Sequence, residues 1–185
     1  MLSRDDMISV ESYGWHKGFY NDNNFSDSLR RISYGDFFEY PDDPEFPYDS
    51  AHELLRGSCH HFALSLNKVL GYSAYIIEGN NKRSFHAFCQ IYKNNQCFYV
   101  DARGITSSFD EFMLVASEFV NDEYTIRAIE SEDIEEWKNA SNYHNEALVF
   151  AEAVIGKFKE CYVLSNKIPN KIIYLIGVAS RCLQT

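Results

Sequence analysis

An α+β fold is the architecture this sequence predicts, on three observations. A helical apolar stripe covers 59–70, a meander of short strands joined by Asn-rich turns covers 73–101, and helical patterns resume after 108. The 185 residues suit one domain with a real core, and 1–185 is read as a single domain. With 45% hydrophobic and 16% aromatic residues the chain is globular, not disordered. Its 17 basic against 27 acidic residues exclude a general nucleic-acid binder, which needs clustered Lys and Arg for phosphates.

Residues 1–50 read as a loop-rich wrapping segment. Turn formers at Asn21-Asp22-Asn23-Asn24 and from Tyr40 to Pro47 alternate with Tyr13, Trp15, Phe19, Tyr20, Phe37 and Phe38, aromatics that a free tail would not need. A short helix is expected near Ser26 to Ile32. Another, capped by Asp49 or Ser50, runs through Leu55 and delivers the chain to Gly57. The acidic patch at Asp42, Asp43 and Glu45 reads as a solvated loop.

The next stretch, Leu54-Leu-Arg-Gly-Ser-Cys-His-His61, raises the functional question. Phe62, Ala63, Leu66, Val69 and Leu70 recur on a helical period, and Gly71 stands where a C-cap glycine belongs. Ser58 is a good N-cap residue, so Cys59 falls in the first turn and shares the inward stripe. A thiol there meets unpaired backbone N–H groups and the positive end of the helix dipole, and both favour thiolate. The competing reading is a small buried cysteine that packs as a hydrophobe.

Strands are expected over Ser73–Glu78, Ser84–Tyr92 and Gln96–Asp101. In the second, Ser84, His86, Phe88, Gln90 and Tyr92 share one face, with Phe85, Ala87, Cys89 and Ile91 on the other. Whether His86 meets Asp101 depends on the loop between their strands. A two-residue Asn94-Asn95 turn makes them diagonal neighbours, a four-residue loop sets them opposite, and a three-residue loop sends them to opposite faces. Asn-Asn tolerates the positive φ that the two-residue turn requires. A carboxylate on one imidazole nitrogen fixes the tautomer, leaving the other nitrogen to activate a thiol.

Ser108-Phe-Asp-Glu111 reads as a capping box opening a helix through about Phe119. A strand over Tyr124–Ile129 follows, then an acidic helix over Asp133–Lys138. A longer helix carries Ala147, Phe150, Ala151, Val154 and Phe158, and the apolar segment Ile172–Leu183 fits a strand or a buried helix equally.

A Gly-x-Cys helix start, a strand bearing His86-Ala87-Phe88, and Tyr99-Val100-Asp101 fifteen residues after the histidine resemble the transglutaminase-like branch of papain-fold cysteine enzymes. The resemblance spans about Leu55 to Gly104. It implies a papain/transglutaminase-like core with the Cys59 helix packed on an antiparallel sheet. It also implies Cys59 as nucleophile, His86 as general base and acid, and Asp101 as the group orienting the imidazole. The implied activity is hydrolysis of a protein or peptide amide through a thioester, of peptidase or glutamine-deamidase type as in some bacterial effectors. The alternatives are transglutaminase-type acyl transfer, or a non-catalytic acidic interaction module on the same fold. The Cys59–His86 spacing is short for that superfamily, and no glutamine precedes Cys59 as an oxyanion donor. The Cys59 N–H is the generic candidate, with His52, Tyr13 and Trp15 as weak side-chain ones.

His60 and His61 are expected to line a cleft rim or the surface. A zinc site built from Cys59, one of them and His86 fits no standard ligand spacing, so no metal is expected, and no cofactor. Cys59, Cys89, Cys97, Cys161 and Cys182, an odd set without a C-x-x-C pair, read as free thiols in a reducing compartment. No signal peptide or membrane span is recognisable, which suggests a cytoplasmic protein, although a non-cleaved export signal would leave no such trace.

Overall fold

In the computed structural model, which describes residues 15–43, 46–80, 84–120 and 123–164, six strands form, four of them on the runs the sequence predicts. They are β1 (His16–Gly18), β2 (Ser73–Gly79), β3 (Phe85–Lys93), β4 (Gln96–Asp101), β5 (Gly104–Thr106) and β6 (Tyr124–Ala128). All pair antiparallel in one sheet of order β1-β5-β4-β3-β2-β6. The helices are α1 (Phe25–Arg30), α2 (Glu53–Arg56), α3 (Cys59–Leu70), α4 (Phe109–Ala116), α5 (Ser131–Asn139), α6 (Asn145–Lys157) and α7 (Lys159–Tyr162). The fold is α+β, as the sequence predicts.

The alternation along β3 divides the core in two. Ala87 and Cys89 face α3, where Ile76, Phe98 and Val100 pack with Phe62 and Leu66, and with Phe150 and Val154 from α6. Phe88 faces the other way and packs with Ile77 against Phe112 and Ala116 of α4. Each Leu or Phe buried in these layers contributes about 1.5–3 kcal/mol of transfer free energy.

The turn between β3 and β4 fixes their register. Asn94 and Asn95 have φ of 52° and 62°, the two successive left-handed residues of a tight hairpin turn. Lys93 therefore opposes Gln96, and the ladder runs only as far as Cys89 opposite Val100. Past that rung the strands diverge, leaving His86 on β3 and Asp101 on β4 beyond the last pair.

Several local expectations need correction. The segment before residue 50 supplies an edge strand as well as loops: β1 pairs with β5, whose residues sequence reading placed past the end of the meander. At their crossing Gly104 has φ of +119°, and a Cβ there would run into the Lys17 carbonyl, so only glycine fits. Ser58 occupies the N-cap of α3, but its side chain accepts no bond from the helix. Helix α2 begins after His52 with no side-chain cap, and Ser50 lies before it in a backbone bridge to Ser33. Ser108 accepts from the Glu111 N–H at 3.2 Å, yet the box stays half-made because the Glu111 carboxylate bonds Thr106 and His16. Val69 is 42% exposed, outside the buried stripe. Glu45, Tyr13, Cys182 and the segment 172–183 lie outside the described residues. Among the described residues no helix is long and apolar enough to cross a membrane.

Candidate active site

Helix α3 starts at Cys59 and points its N-terminus at the gap that β3 and β4 leave as they part. The Ala87 N–H has no β4 carbonyl to meet there, and it donates to Cys59 Sγ at 3.3 Å instead. The sulfur thus occupies a place where the ladder would otherwise continue. It is 4% exposed and has three sources of positive potential around it: the Ala87 N–H, the helix N-terminus, and the imidazoles of His60 and His86. Burial alone would push the thiol up. The two neighbouring imidazoles, His60 and His86, outweigh it and bring Cys59 down to about 6.

His86 is wholly buried on the α4 face, its ring stacked near Phe119 and tilted against Phe112. Its Nε2 lies 3.4 Å from Asp101 Oδ2, the diagonal contact that the two-residue turn allows. Nδ1 is buried without a hydrogen-bond partner, which leaves that nitrogen for the sulfur. Burial pulls the imidazole down, but Asp101 and Cys59 together raise it to about 9. Between those two values the resting pair is thiolate and imidazolium. The three expected residues are brought together.

Two participants escaped sequence reading. Arg103 is fully buried and grips Asp101: Nη2 donates to Oδ2 at 2.6 Å, Nε to both oxygens at 3.1 Å, and its backbone N–H to Oδ1 at 2.9 Å. Nη1 also donates to the Glu111 carbonyl and Nη2 to the Phe112 carbonyl, tying the carboxylate to α4. Tyr20, whose ring lies 4.5 Å beneath the guanidinium, donates its hydroxyl to Asp101 Oδ2 at 3.3 Å. Burial would raise the Asp101 carboxyl, but the Arg103 charge and the bonds from His86 and Arg103 hold it well below the carboxylate range. The Asp-Ala-Arg-Gly turn offered a signal for Arg103, since a two-residue hairpin returns its far side to the carboxylate; Tyr20 offered none.

His60 and His61 are not on a rim. Both are buried: His60 packs against Phe85 of β3 and Trp137 of α5, and His61 lies under α6 and the loop at 140–144. His60 Nε2 donates to the Asn142 carbonyl at 2.7 Å, whereas His61 Nε2 accepts from the His144 N–H at 2.9 Å. The bond partners therefore put a proton on His60 Nε2, and leave His61 with a lone pair on Nε2 and its proton on Nδ1. His60 adjoins Cys59 and acts on it; His61 does not. Among the described residues no group of three His, Cys, Asp or Glu side chains could hold a metal ion.

Two of the weak oxyanion candidates, His52 and Trp15, pack among other groups. His52 Nε2 accepts from Arg56 at 3.1 Å and also meets Arg30, and Trp15 packs edge-on against Phe98. The first-turn N–H groups of α3, at Cys59 and after it, remain as anion donors. The chain matches no protein-family model, no curated protein and no solved structure.

Proposed function

We propose that the protein is a thiol-dependent amide hydrolase acting on protein or peptide amides through a thioester. The observation that carries this reading is the place of Cys59 Sγ. It lies at a helix N-terminus, bonded to the Ala87 N–H and beside an imidazole whose far nitrogen meets a buried carboxylate. The order cysteine, histidine, aspartate and the packing of α3 on an antiparallel sheet support a papain/transglutaminase-like core.

Cys59 attacks the carbonyl carbon as thiolate, and the developing oxyanion takes N–H groups from the start of α3. His86 gives its Nδ1 proton to the leaving nitrogen, so the C–N bond breaks and a thioester remains. Neutral His86 then takes a proton from water, whose oxygen attacks the thioester and returns Cys59 as leaving group. Asp101 keeps the imidazole turned so that Nδ1 addresses the sulfur. The resting thiol is nearly closed off, which favours a slender side-chain carboxamide over a main-chain bond flanked by side chains.

The test is incubation with candidate proteins, measuring released ammonia and new chain termini. Either product, lost in Cys59→Ala, supports hydrolysis. Products that form only when an added amine is joined to glutamine would make the protein an acyl transferase. An unreactive Cys59 at neutral pH would make it a non-catalytic module.

A further inference from the structure

We propose that Arg103 is a positioning residue of this site, holding Asp101 as a fixed carboxylate and so setting how strongly it acts on His86 and, through His86, on Cys59. The inference rests on the thiol-hydrolase reading. It begins with the unequal sharing of one oxygen. Asp101 Oδ2 receives Arg103 Nη2 at 2.6 Å and Nε at 3.1 Å, Tyr20 at 3.3 Å, and His86 last at 3.4 Å. The carboxylate belongs first to the arginine.

A fully buried guanidinium is a poor way to gain stability, because its desolvation offsets much of the attraction and an apolar side chain would pack as well. Its place explains it better. Cys59, His86, Asp101 and Arg103 form a row of alternating charge, minus, plus, minus, plus, running from the helix N-terminus into the α4 layer. Arg103 offsets part of the field of Asp101 and holds the carboxylate in place, so that it orients the imidazole from a fixed position. Nη1 also donates to the Glu111 carbonyl at 3.1 Å and Nη2 to the Phe112 carbonyl at 2.9 Å, which fixes the position of the guanidinium.

The other ionisable groups facing this row are few. Tyr20 from the 3₁₀ turn at Phe19–Asn21 and Tyr162 from α7 are both held neutral by burial. The Glu111 carboxylate of α4 is committed to Thr106 and His16, Glu118 is paired with Arg56, and His60 flanks the sulfur. Removing the Arg103 charge thus takes one nearby positive charge from both His86 and Cys59. Both groups then titrate at higher pH, His86 by about one unit and the more distant Cys59 by less. A prop for α4 alone would leave the titrations unmoved.

The experiment is the pH dependence of Cys59 alkylation by iodoacetamide, which needs no substrate, in wild type, Arg103→Lys and Arg103→Gln. Arg103→Lys should keep both limbs within a few tenths of a unit, and Arg103→Gln should move both alkaline. Should Arg103→Gln fail to fold, Asp101→Asn is compared with Asp101→Asn/Arg103→Gln, where no carboxylate is left unpaired; the double variant should again titrate higher. Limbs that coincide in either comparison, or move to lower pH, overturn the role of Arg103 and leave the hydrolase reading standing. A wild-type Cys59 without raised reactivity at neutral pH overturns both.

Discussion

Cys59 Sγ takes the Ala87 N–H at 3.3 Å because β4 has already parted from β3 two residues earlier, at the Cys89–Val100 rung. A sheet that stayed paired to Phe85 would spend that N–H on a carbonyl and close the gap. The thiol is therefore placed by where a hairpin ladder ends, and that end is set by the Asn94-Asn95 turn and the Ala102-Arg103 turn together.

Alkylation mapped by mass spectrometry should single out Cys59 at pH 7. With the thiol at about 6, most of it is thiolate there, whereas burial pushes Cys89 and Cys161 up. Reactivity should rise through about pH 6 and change again through about pH 9, as His86 gives up its proton. First labelling of the more exposed Cys97, with Cys59 resistant, would refute this.

Substitutions within the triad should be severe and non-additive. Cys59→Ala and His86→Ala should each cost about 10⁶-fold in kcat, and the double variant little more. Asp101→Ala should cost about 10⁴-fold, through a freed imidazole and the wrong tautomer. Cys89→Ala and Cys97→Ala should keep their turnover and lose at most packing. Steady-state kinetics on any substrate found decides it, and an active Cys59→Ala would end the triad reading.

The triad was legible because its signals are local. Cys59 follows from a cap position and a helical stripe, and His86 and Asp101 from strand parity across a two-residue turn. Arg103 and the histidine pair were not, Arg103 because nothing in a turn dictates where its side chain goes, and the histidines because their partners lie far off in sequence. Arg103 looks like a turn residue until α4 turns two carbonyls toward it. His60 looks solvent-facing until residues 142–144, more than eighty positions on, close over it. A one-sided apolar stripe marks which face of α3 meets the sheet, but says nothing about a second covering layer that packs through polar rings.

The turn itself makes a stability prediction. Asn94 and Asn95 both sit at positive φ, where a β-branched side chain clashes with its own backbone. Asn94→Val or Asn95→Val should destabilise by about 1–2 kcal/mol, whereas Asn95→Gly should be neutral or mildly stabilising. Urea denaturation would measure both. A valine variant as stable as wild type would mean that some other feature sets the β3–β4 register.

His61 should make the fold sensitive to mild acid. Its Nε2 accepts the His144 N–H, so the ring must be neutral to keep that bond, and burial with His60 and His144 nearby lowers it to about 3. The unfolded chain takes up this proton near pH 6.5, and the folded chain only near pH 3. His61 therefore contributes fully above pH 6.5, and its contribution is lost as pH falls from there toward 3. His61→Gln keeps an acceptor for the His144 N–H but cannot titrate. It should start less stable at pH 7 through lost packing, then fall less steeply. Between pH 6.5 and 4.5 the wild type should lose roughly 2–3 kcal/mol more than the variant. Other groups titrate alike in both proteins, so the difference isolates this ring. Urea midpoints that decline in parallel over that range would show that His61 is protonated in the folded state, and that the His144 contact is made some other way.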